Sequence, residues 1–181
     1  MKLLSVNVGL PRDVESHGRI VRTSIWKSPK QGRVRVNQTN LEGDAQSDLS
    51  VHDGIEKAVY VYPSEHYAFW RDELPDTEIA WGGFGENLTI EGLLESEVRI
   101  GDRLSIGSAQ FEVTQPRLPC YKLGIRFGRD DIIKRFLRSG RSGFYLAVVQ
   151  GGDIGAGDSI ERTSQNRGKP TIAEVAAHYL R

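Results

Sequence analysis

The chain has 181 residues, a length typical of one domain that buries most of its apolar surface without disulfides. Its 24 basic residues balance 24 acidic ones, which argues against nucleic acid as a partner because nucleic-acid-binding domains usually carry a basic excess. A single cysteine excludes an internal disulfide and fits a reducing compartment. No apolar run approaches the roughly 20 residues of a membrane span, so we expect a cytoplasmic protein without a membrane partner.

Short β-strands dominate the pattern in the first half of the chain. Apolar and β-branched residues between turn signals predict strands over residues 2–8, 19–26, 33–36 and 58–62. Pro11 and the polar residues after it predict a loop, and residues 43–54 predict a long, Asp-rich surface loop. Ser64 is the predicted cap of a short helix that runs through Trp70.

The second half has the clearest alternation of apolar and polar residues. It predicts strands over residues 97–100, 103–106, 109–114 and 144–150. Gly101-Asp102 and Gly107-Ser108 are the predicted turns between the first three. An apolar stripe over residues 130–139 predicts a helix that ends at Gly140. Many short strands and few helices predict a mainly β, barrel-like fold of mostly antiparallel strands.

The end of the chain predicts a separate C-terminal helix. Thr171 and Glu174 have the spacing of a capping box. One face of the helix is apolar and consists of Ile172, Val175, Ala176, Tyr179 and Leu180. So short a helix is marginal alone, so this face must pack on the barrel or on another subunit in a homodimer. We therefore divide the chain into a main domain, residues 1–165, and a linker with a helix, residues 166–181.

The only cysteine lies in the stretch TQPRLPCYKLGIRFG. Two nearby prolines disfavour a regular element, so we expect Cys120 in a loop just after a strand. Arg117 and Lys122 would favour its thiolate form if they lie close, and a thiolate is both a nucleophile and a metal ligand. The alternative is a buried structural cysteine, and this stretch alone does not decide between the two.

Two further stretches carry candidate site residues. Ionisable groups approach the start of one predicted strand, namely Asp44, Asp48, His52, Asp53 and Lys57. A surface histidine is the simpler interpretation of His52, although loops at strand ends often carry function. The glycine-rich stretch from Gly82 to Asn87 offers backbone N–H groups to an anion, and a flexible turn explains it equally well. One cysteine and four scattered histidines do not predict a zinc site.

Together these stretches resemble the MOSC family, named for the C-terminal domain of molybdenum cofactor sulfurases, and its stand-alone YiiM-like branch in particular. The matching motifs are Gly43-Asp44 through His52 with Lys57, Phe84-Gly85-Glu86-Asn87-Leu88, Gly101-Asp102, and Gln115-Pro116-Arg117 with Pro119-Cys120 and Lys122-Leu123. Each motif is modest, but their order and spacing together are specific. The likeness covers nearly the whole chain.

The resemblance implies a barrel-like fold that binds the molybdenum cofactor, in which the dithiolene of molybdopterin holds the metal. Cys120 is then the metal ligand or sulfur acceptor, and His52 and Arg117 are further catalytic residues. The implied cofactor-binding residues are Lys57, Gly85, Glu86, Asn87 and Lys122. The implied reaction is the reduction of small N-hydroxylated compounds such as hydroxylaminopurines. A separate electron-transfer protein must supply the electrons, because one cysteine cannot hold an iron–sulfur cluster.

Two other functions stay open. The first is a carrier, which holds the cofactor or a Cys120 persulfide without turnover. The second is a cysteine hydrolase, which needs His52 within hydrogen-bond reach of Cys120. The family's general pyridoxal-phosphate label fits a separate domain of the larger sulfurases. Two features depart from the family pattern. Asp53 replaces a frequent glycine, and one C-terminal helix stands where YiiM-like chains often have three.

Overall fold

The computed structural model describes residues 1–45 and 55–179, which contain twelve strands and four helices. The strands are β1 (Lys2–Val8), β2 (Arg12–Ser16), β3 (Arg19–Thr23), β4 (Ser28–Pro29), β5 (Val34–Val36), β6 (Val59–Pro63), β7 (Leu88–Glu91), β8 (Arg103–Ile106), β9 (Ala109–Pro116), β10 (Phe144–Gln150), β11 (Gly152–Ile154) and β12 (Ile160–Ser164). The helices are α1 (His66–Glu73), α2 (Tyr121–Phe127), α3 (Ile132–Ser139) and α4 (Ile172–His178). In the described part of the chain, no helix is long and apolar enough to cross a membrane.

Eight strands form one mixed sheet in the order β12-β8-β9-β10-β6-β7-β1-β4. Its pairs are antiparallel except for β6 and β7, which run parallel. The sheet curls because β1 also bonds to the segment before β12: the Leu3 N–H donates to the Asp158 carbonyl over 2.9 Å. The mainly β prediction is confirmed, with a curved sheet of open strand order in place of a closed barrel.

Strand β6 separates two apolar cores because successive side chains of a strand point to opposite faces. Val59 and Val61 lie in the core of the large sheet. Tyr60 and Tyr62 lie in a second, aromatic core between the sheet and the first three helices. All five residues of β6 are buried, which explains its continuous apolar sequence.

Most of the predicted elements are confirmed. The strands over residues 2–8, 103–106 and 144–150 have the predicted bounds. Helix α3 ends at Gly140, whose φ of 66° is the left-handed conformation that glycine favours. The Thr171–Glu174 capping box has both of its hydrogen bonds.

Four local predictions are wrong or incomplete. The loop after Pro11 is in fact strand β2, whose exposed, polar faces hide the strand pattern. Residues 97–100 form a turn, in which the Asp102 carboxylate accepts from the Arg99 N–H over 3.0 Å. Helix α1 begins after Glu65, and its N-terminus has no side-chain cap, so Ser64 does not cap it. Helix α2 was not predicted.

Helix α4 packs on its own chain. Ile172 is fully buried in the sheet core, and its N–H donates to the Val98 carbonyl over 2.9 Å. The Ala173 N–H donates to the Glu95 carbonyl over 3.0 Å. Tyr179, at the far end of the predicted apolar face, is 56% exposed. The homodimer and the boundary between residues 165 and 166 stay predictions.

Candidate active site

A cavity of about 120 Å³ brings together most of the predicted site residues. Its walls include Arg117, Cys120, Lys122, Lys57, Gly85 and Asn87. These residues come from distant parts of the sequence, so the fold creates the arrangement. His52 and Asp53 lie outside the described residues.

Cys120 lies where strand β9 has ended and helix α2 begins. It is half buried and extended, with φ −114° and ψ 171°, and it immediately precedes Tyr121, the first residue of α2. Its carbonyl accepts from the Leu123 N–H over 2.9 Å, which starts the helix. The prediction of a loop just after a strand is confirmed, and the side chain lines the cavity.

Arg117 is a buried cation beside Cys120 in the cavity wall. Its guanidinium carbon lies 5.1 Å from the ring centroid of Tyr60 and 5.0 Å from that of Phe136. Nη1 is buried and has no hydrogen-bond partner in the described part of the chain. Burial acts to lower the pKa of Arg117, but Tyr60, Tyr145 and Cys120 more than offset it, so its pKa lies above the ordinary value. The site therefore holds a fixed positive charge with one unused donor.

Lys27 and Asp44 form a buried ion pair in the same cavity. The sequence singled out Asp44 only as one of five ionisable groups, and it did not single out Lys27. Asp44 also accepts from the Gly9 N–H over 2.9 Å and from Asn87 Nδ2 over 2.8 Å. Burial lowers the pKa of Lys27, and the charge of Asp44 opposes this. The sequence alone does not reveal the pair, because residues 27 and 44 meet only through the fold. The ion pair and Asn87 together make one rigid wall.

Glu86 is buried and holds the loop from Gly82 to Asn87, part of which lines the cavity. Its carboxylate accepts from Tyr67 Oη, from the Gly82 N–H over 2.8 Å, from the Phe84 N–H over 3.0 Å and from Thr89 Oγ1 over 3.0 Å. Burial raises the pKa of Glu86, and these hydrogen bonds oppose the shift. Because its oxygens are fully engaged, Glu86 shapes the loop that presents Gly85 and Asn87.

A hydrogen-bonded chain of His66, Glu95 and Gly143 ends on the backbone of Arg117. His66 Nε2 lies 2.8 Å from Glu95 Oε2, and Glu95 Oε1 accepts from the Gly143 N–H over 2.7 Å. The Gly143 carbonyl in turn accepts from the Arg117 N–H over 3.4 Å. A smaller cavity of about 20 Å³ borders Arg117 and Ala176, so helix α4 lies next to the site.

The described residues do not form a metal site by themselves. In residues 1–45 and 55–179, no three His, Cys, Asp or Glu side chains are grouped closely enough to hold a metal ion. Cys120 is the one cysteine of the sequence, and it lines the cavity. A metal bound here would need ligands beyond the described residues.

The model of the MOSC domain family matches residues 48–161. The chain belongs to the MOSC domain family. This MOSC domain is 40% identical to the protein YflK of Bacillus subtilis over 178 residues, covering 98% of this chain and 79% of YflK. It is 36% identical over 176 residues to a protein named reductase from Gibberella moniliformis, covering 96% of this chain and 31% of that protein.

A solved structure shares the fold. The crystal structure of YiiM from Geobacillus stearothermophilus matches with a TM-score of 0.82 and 33% sequence identity, over 98% of this chain and 83% of that one. The resemblance read from the motifs is thus confirmed at the level of the family and of the YiiM-like branch.

Proposed function

We propose that this MOSC domain binds the molybdenum cofactor and reduces N-hydroxylated compounds such as hydroxylaminopurines, with Cys120 as molybdenum ligand or sulfur acceptor. The observation that carries the proposal is the cavity in which a half-buried thiol and a buried arginine with an unused donor lie together. A relative named reductase supports the reaction type.

The residues of the cavity fit such a cofactor. A thiolate is a soft ligand of the kind that binds molybdenum, and Cys120 supplies one. The remaining sulfur ligands would come from the dithiolene, which agrees with the absence of a grouped protein metal site in the described residues. The pterin carries a phosphate, and Arg117, Lys57 and Lys122 bring positive charge to the cavity, in which Lys27 is paired with Asp44.

Each residue then has a definite task. Arg117 offers Nη1 to an anionic group, since a buried donor without an acceptor is unfavourable. Asp44 holds the ammonium of Lys27 in the cavity wall, and Asn87 Nδ2 donates to the Asp44 carboxylate. Glu86 fixes the loop at Gly85, where a side chain would meet Ile25 at 2.9 Å. His52 and Glu86 stay proposed site residues, with Glu86 acting through the loop.

The reaction balances with an outside electron source. Reduction of R–NHOH to R–NH₂ breaks the N–O bond, consumes two electrons and two protons, and releases water. The cofactor would supply a redox-active metal, and a separate electron-transfer protein would supply the electrons. The residues of the chain bind and orient the reactants.

The test is reduction of a hydroxylaminopurine by the cofactor-loaded protein with an artificial electron donor, with the aminopurine product measured by chromatography. We expect turnover by the wild type and at least about a hundredfold less by Cys120→Ala, since a metal ligand is lost. Arg35→Met, which removes an exposed arginine paired with Asp153, is the control and should keep full activity. A loaded protein without turnover would favour the carrier function.

A further inference from the structure

Glu95 is a buried carboxylate that joins several elements without lining the cavity. It lies in the turn after β7 and is 4% exposed. Its two oxygens lie 3.0 and 2.8 Å from Nε2 of His66 in α1, and Oε1 also accepts from the Gly143 N–H over 2.7 Å. Its backbone carbonyl accepts from the Ala173 N–H of α4 over 3.0 Å. Glu95 therefore ties α1 and α4 to the segment that precedes β10.

The peptide group between Ser142 and Gly143 is held at both of its polar atoms. Its N–H donates to Glu95, and its carbonyl oxygen, that of Ser142, accepts from Tyr60 Oη over 2.9 Å. A peptide group is planar, so the two hydrogen bonds together fix its orientation. Gly143 has a φ of 62°, and glycine adopts this left-handed conformation without strain. Loss of either bond would leave a buried backbone group without its partner and favour a rearrangement of this peptide group.

Two contacts connect this peptide group to Arg117. Along the backbone, the Gly143 carbonyl accepts from the Arg117 N–H over 3.4 Å. Through side chains, the ring centroid of Tyr60 lies 5.1 Å from the guanidinium carbon. Burial raises the pKa of Tyr60 well above its ordinary value, and Glu95 adds to the shift although Arg117 opposes it. Tyr60 therefore keeps the proton that it donates to Ser142 at neutral pH.

We propose that Glu95 is a positioning residue for Arg117. It fixes the peptide group and, through it, the ring of Tyr60, and so keeps the guanidinium in the cavity wall that also contains Cys120. Arg117 depends on neutral contacts such as these and a hydrogen bond with Tyr145, because no carboxylate in the described part of the chain forms an ion pair with it. The placement of Arg117 stands on these contacts, and its task of binding an anionic group rests on the proposed function.

The experiment measures the charge near Cys120 in the full chain without cofactor. Dithiobis-nitrobenzoate is an anionic disulfide and dithiodipyridine is a neutral one. Each forms a mixed disulfide with the Cys120 thiolate and releases its other half, whose absorbance gives the rate. A positive charge near the thiol favours the anionic reagent. The ratio of the two rate constants therefore reports this charge, since the thiolate fraction affects both reactions equally.

Loss of the Glu95 carboxylate should lower the ratio of the anionic to the neutral rate. We expect a decrease of at least about threefold in Arg117→Met and of at least about twofold in Glu95→Ala, because a guanidinium that leaves the cavity wall attracts the anionic reagent less. Glu95→Gln keeps an oxygen acceptor for the Gly143 N–H and should keep at least the wild-type ratio. Glu161→Ala, which removes an exposed glutamate of β12, is the control and should match the wild type.

The sign of the change separates positioning from other roles of Glu95. If Glu95 acted only by its own charge, Glu95→Ala and Glu95→Gln would both raise the ratio, and that result would overturn the proposal. An unchanged ratio in a folded Glu95→Ala with a lower Tm would overturn it too, since the carboxylate would then only stabilise the fold. A decrease of the same size in Glu95→Gln would also contradict it, because the acceptor would not matter.

A second variant breaks the other hydrogen bond of the same peptide group. Tyr60→Phe keeps the ring and should lower the ratio as well, so it provides the test if Glu95→Ala does not fold. An unchanged ratio in that variant would then overturn the proposal, as would an unchanged ratio in Arg117→Met. The assay needs neither molybdenum nor turnover. A wild type that binds no molybdenum would therefore defeat the proposed function and leave this inference standing.

Discussion

Replacing Arg117 with methionine should leave the protein at least as stable as the wild type, although the residue is buried. The change removes a buried cation that faces neutral phenols at pH 7, because the pKa values of Tyr60 and Tyr145 are raised, and whose desolvation costs several kcal/mol. It also removes an orphan donor that costs about 1–3 kcal/mol. It gives up two contacts with aromatic rings, worth about 0.5–2 kcal/mol each, and a hydrogen bond with Tyr145 worth about 1 kcal/mol. Methionine has a similar length and fills the space.

The gains sum to about 4–6 kcal/mol and the losses to about 2–5 kcal/mol, so the middles of the two ranges give a net gain of about 1–2 kcal/mol. For a chain of 181 residues this corresponds to a Tm up to about 6 °C above the wild-type value. Thermal unfolding followed by circular dichroism measures the shift, and Arg35→Met, the same change at an exposed ion pair, should stay within about 0.5 kcal/mol. A loss of more than about 2 kcal/mol in Arg117→Met would refute the reasoning, because it would mean that the arginine stabilises the fold.

Three further changes test the surroundings of the site. Glu86→Gln should cost about 2–4 kcal/mol, because an NH₂ group would face backbone donors. Burial raises the pKa of Glu86, so the folded state favours the protonated carboxyl group. Its contribution to the free energy of unfolding is therefore complete below the unfolded pKa near 4.5 and falls as pH rises through the folded pKa. Urea unfolding should show the stability difference between the wild type and Glu86→Gln shrinking over that range. Gly143→Ala should cost at least about 3 kcal/mol of stability, because φ is 62° and a Cβ would lie 2.3 Å from the Val61 carbonyl oxygen. Gly140→Ala is the control: its φ is 66° and a Cβ would meet open space, so it should cost about 1 kcal/mol. Similar losses in the two variants would contradict the clash at Gly143. Removal of the residues after Pro170 should lower the Tm without changing the oligomeric state. Ile172→Ala alone should lower the free energy of unfolding by about 2–5 kcal/mol. An unchanged Tm together with a change from dimer to monomer would assign the tail to a dimer contact.

The sequence predicted elements well where one local pattern decided them. Residues 103–106 and 144–150 alternate clearly, and Gly140 stops a helix with a well-defined apolar stripe. Strand β2 and helix α2 were missed because the former is exposed on both faces and the latter is only seven residues long. In both cases tertiary contacts, such as Arg12 on Trp26, outweigh local propensity.

The candidate site was predictable only as a set of motifs. Cys120 and Arg117 drew attention by their own chemistry and spacing, and the cavity joins them as expected. Lys27 and Asp44 were not predictable as a pair, because no periodicity links positions that meet through β-sheet topology. The Glu86 motif pointed to the right loop, but the role of its carboxylate depends on Tyr67 and Thr89, which only the fold brings near.

The most direct test of the central claim is the molybdenum content of the protein purified from a host that makes molybdopterin. Elemental analysis should find close to one molybdenum per wild-type chain and little in Cys120→Ala, with both proteins folded by circular dichroism. Arg35→Met should match the wild type. No molybdenum in the wild type, or equal amounts in wild type and Cys120→Ala, would contradict a cofactor held through Cys120.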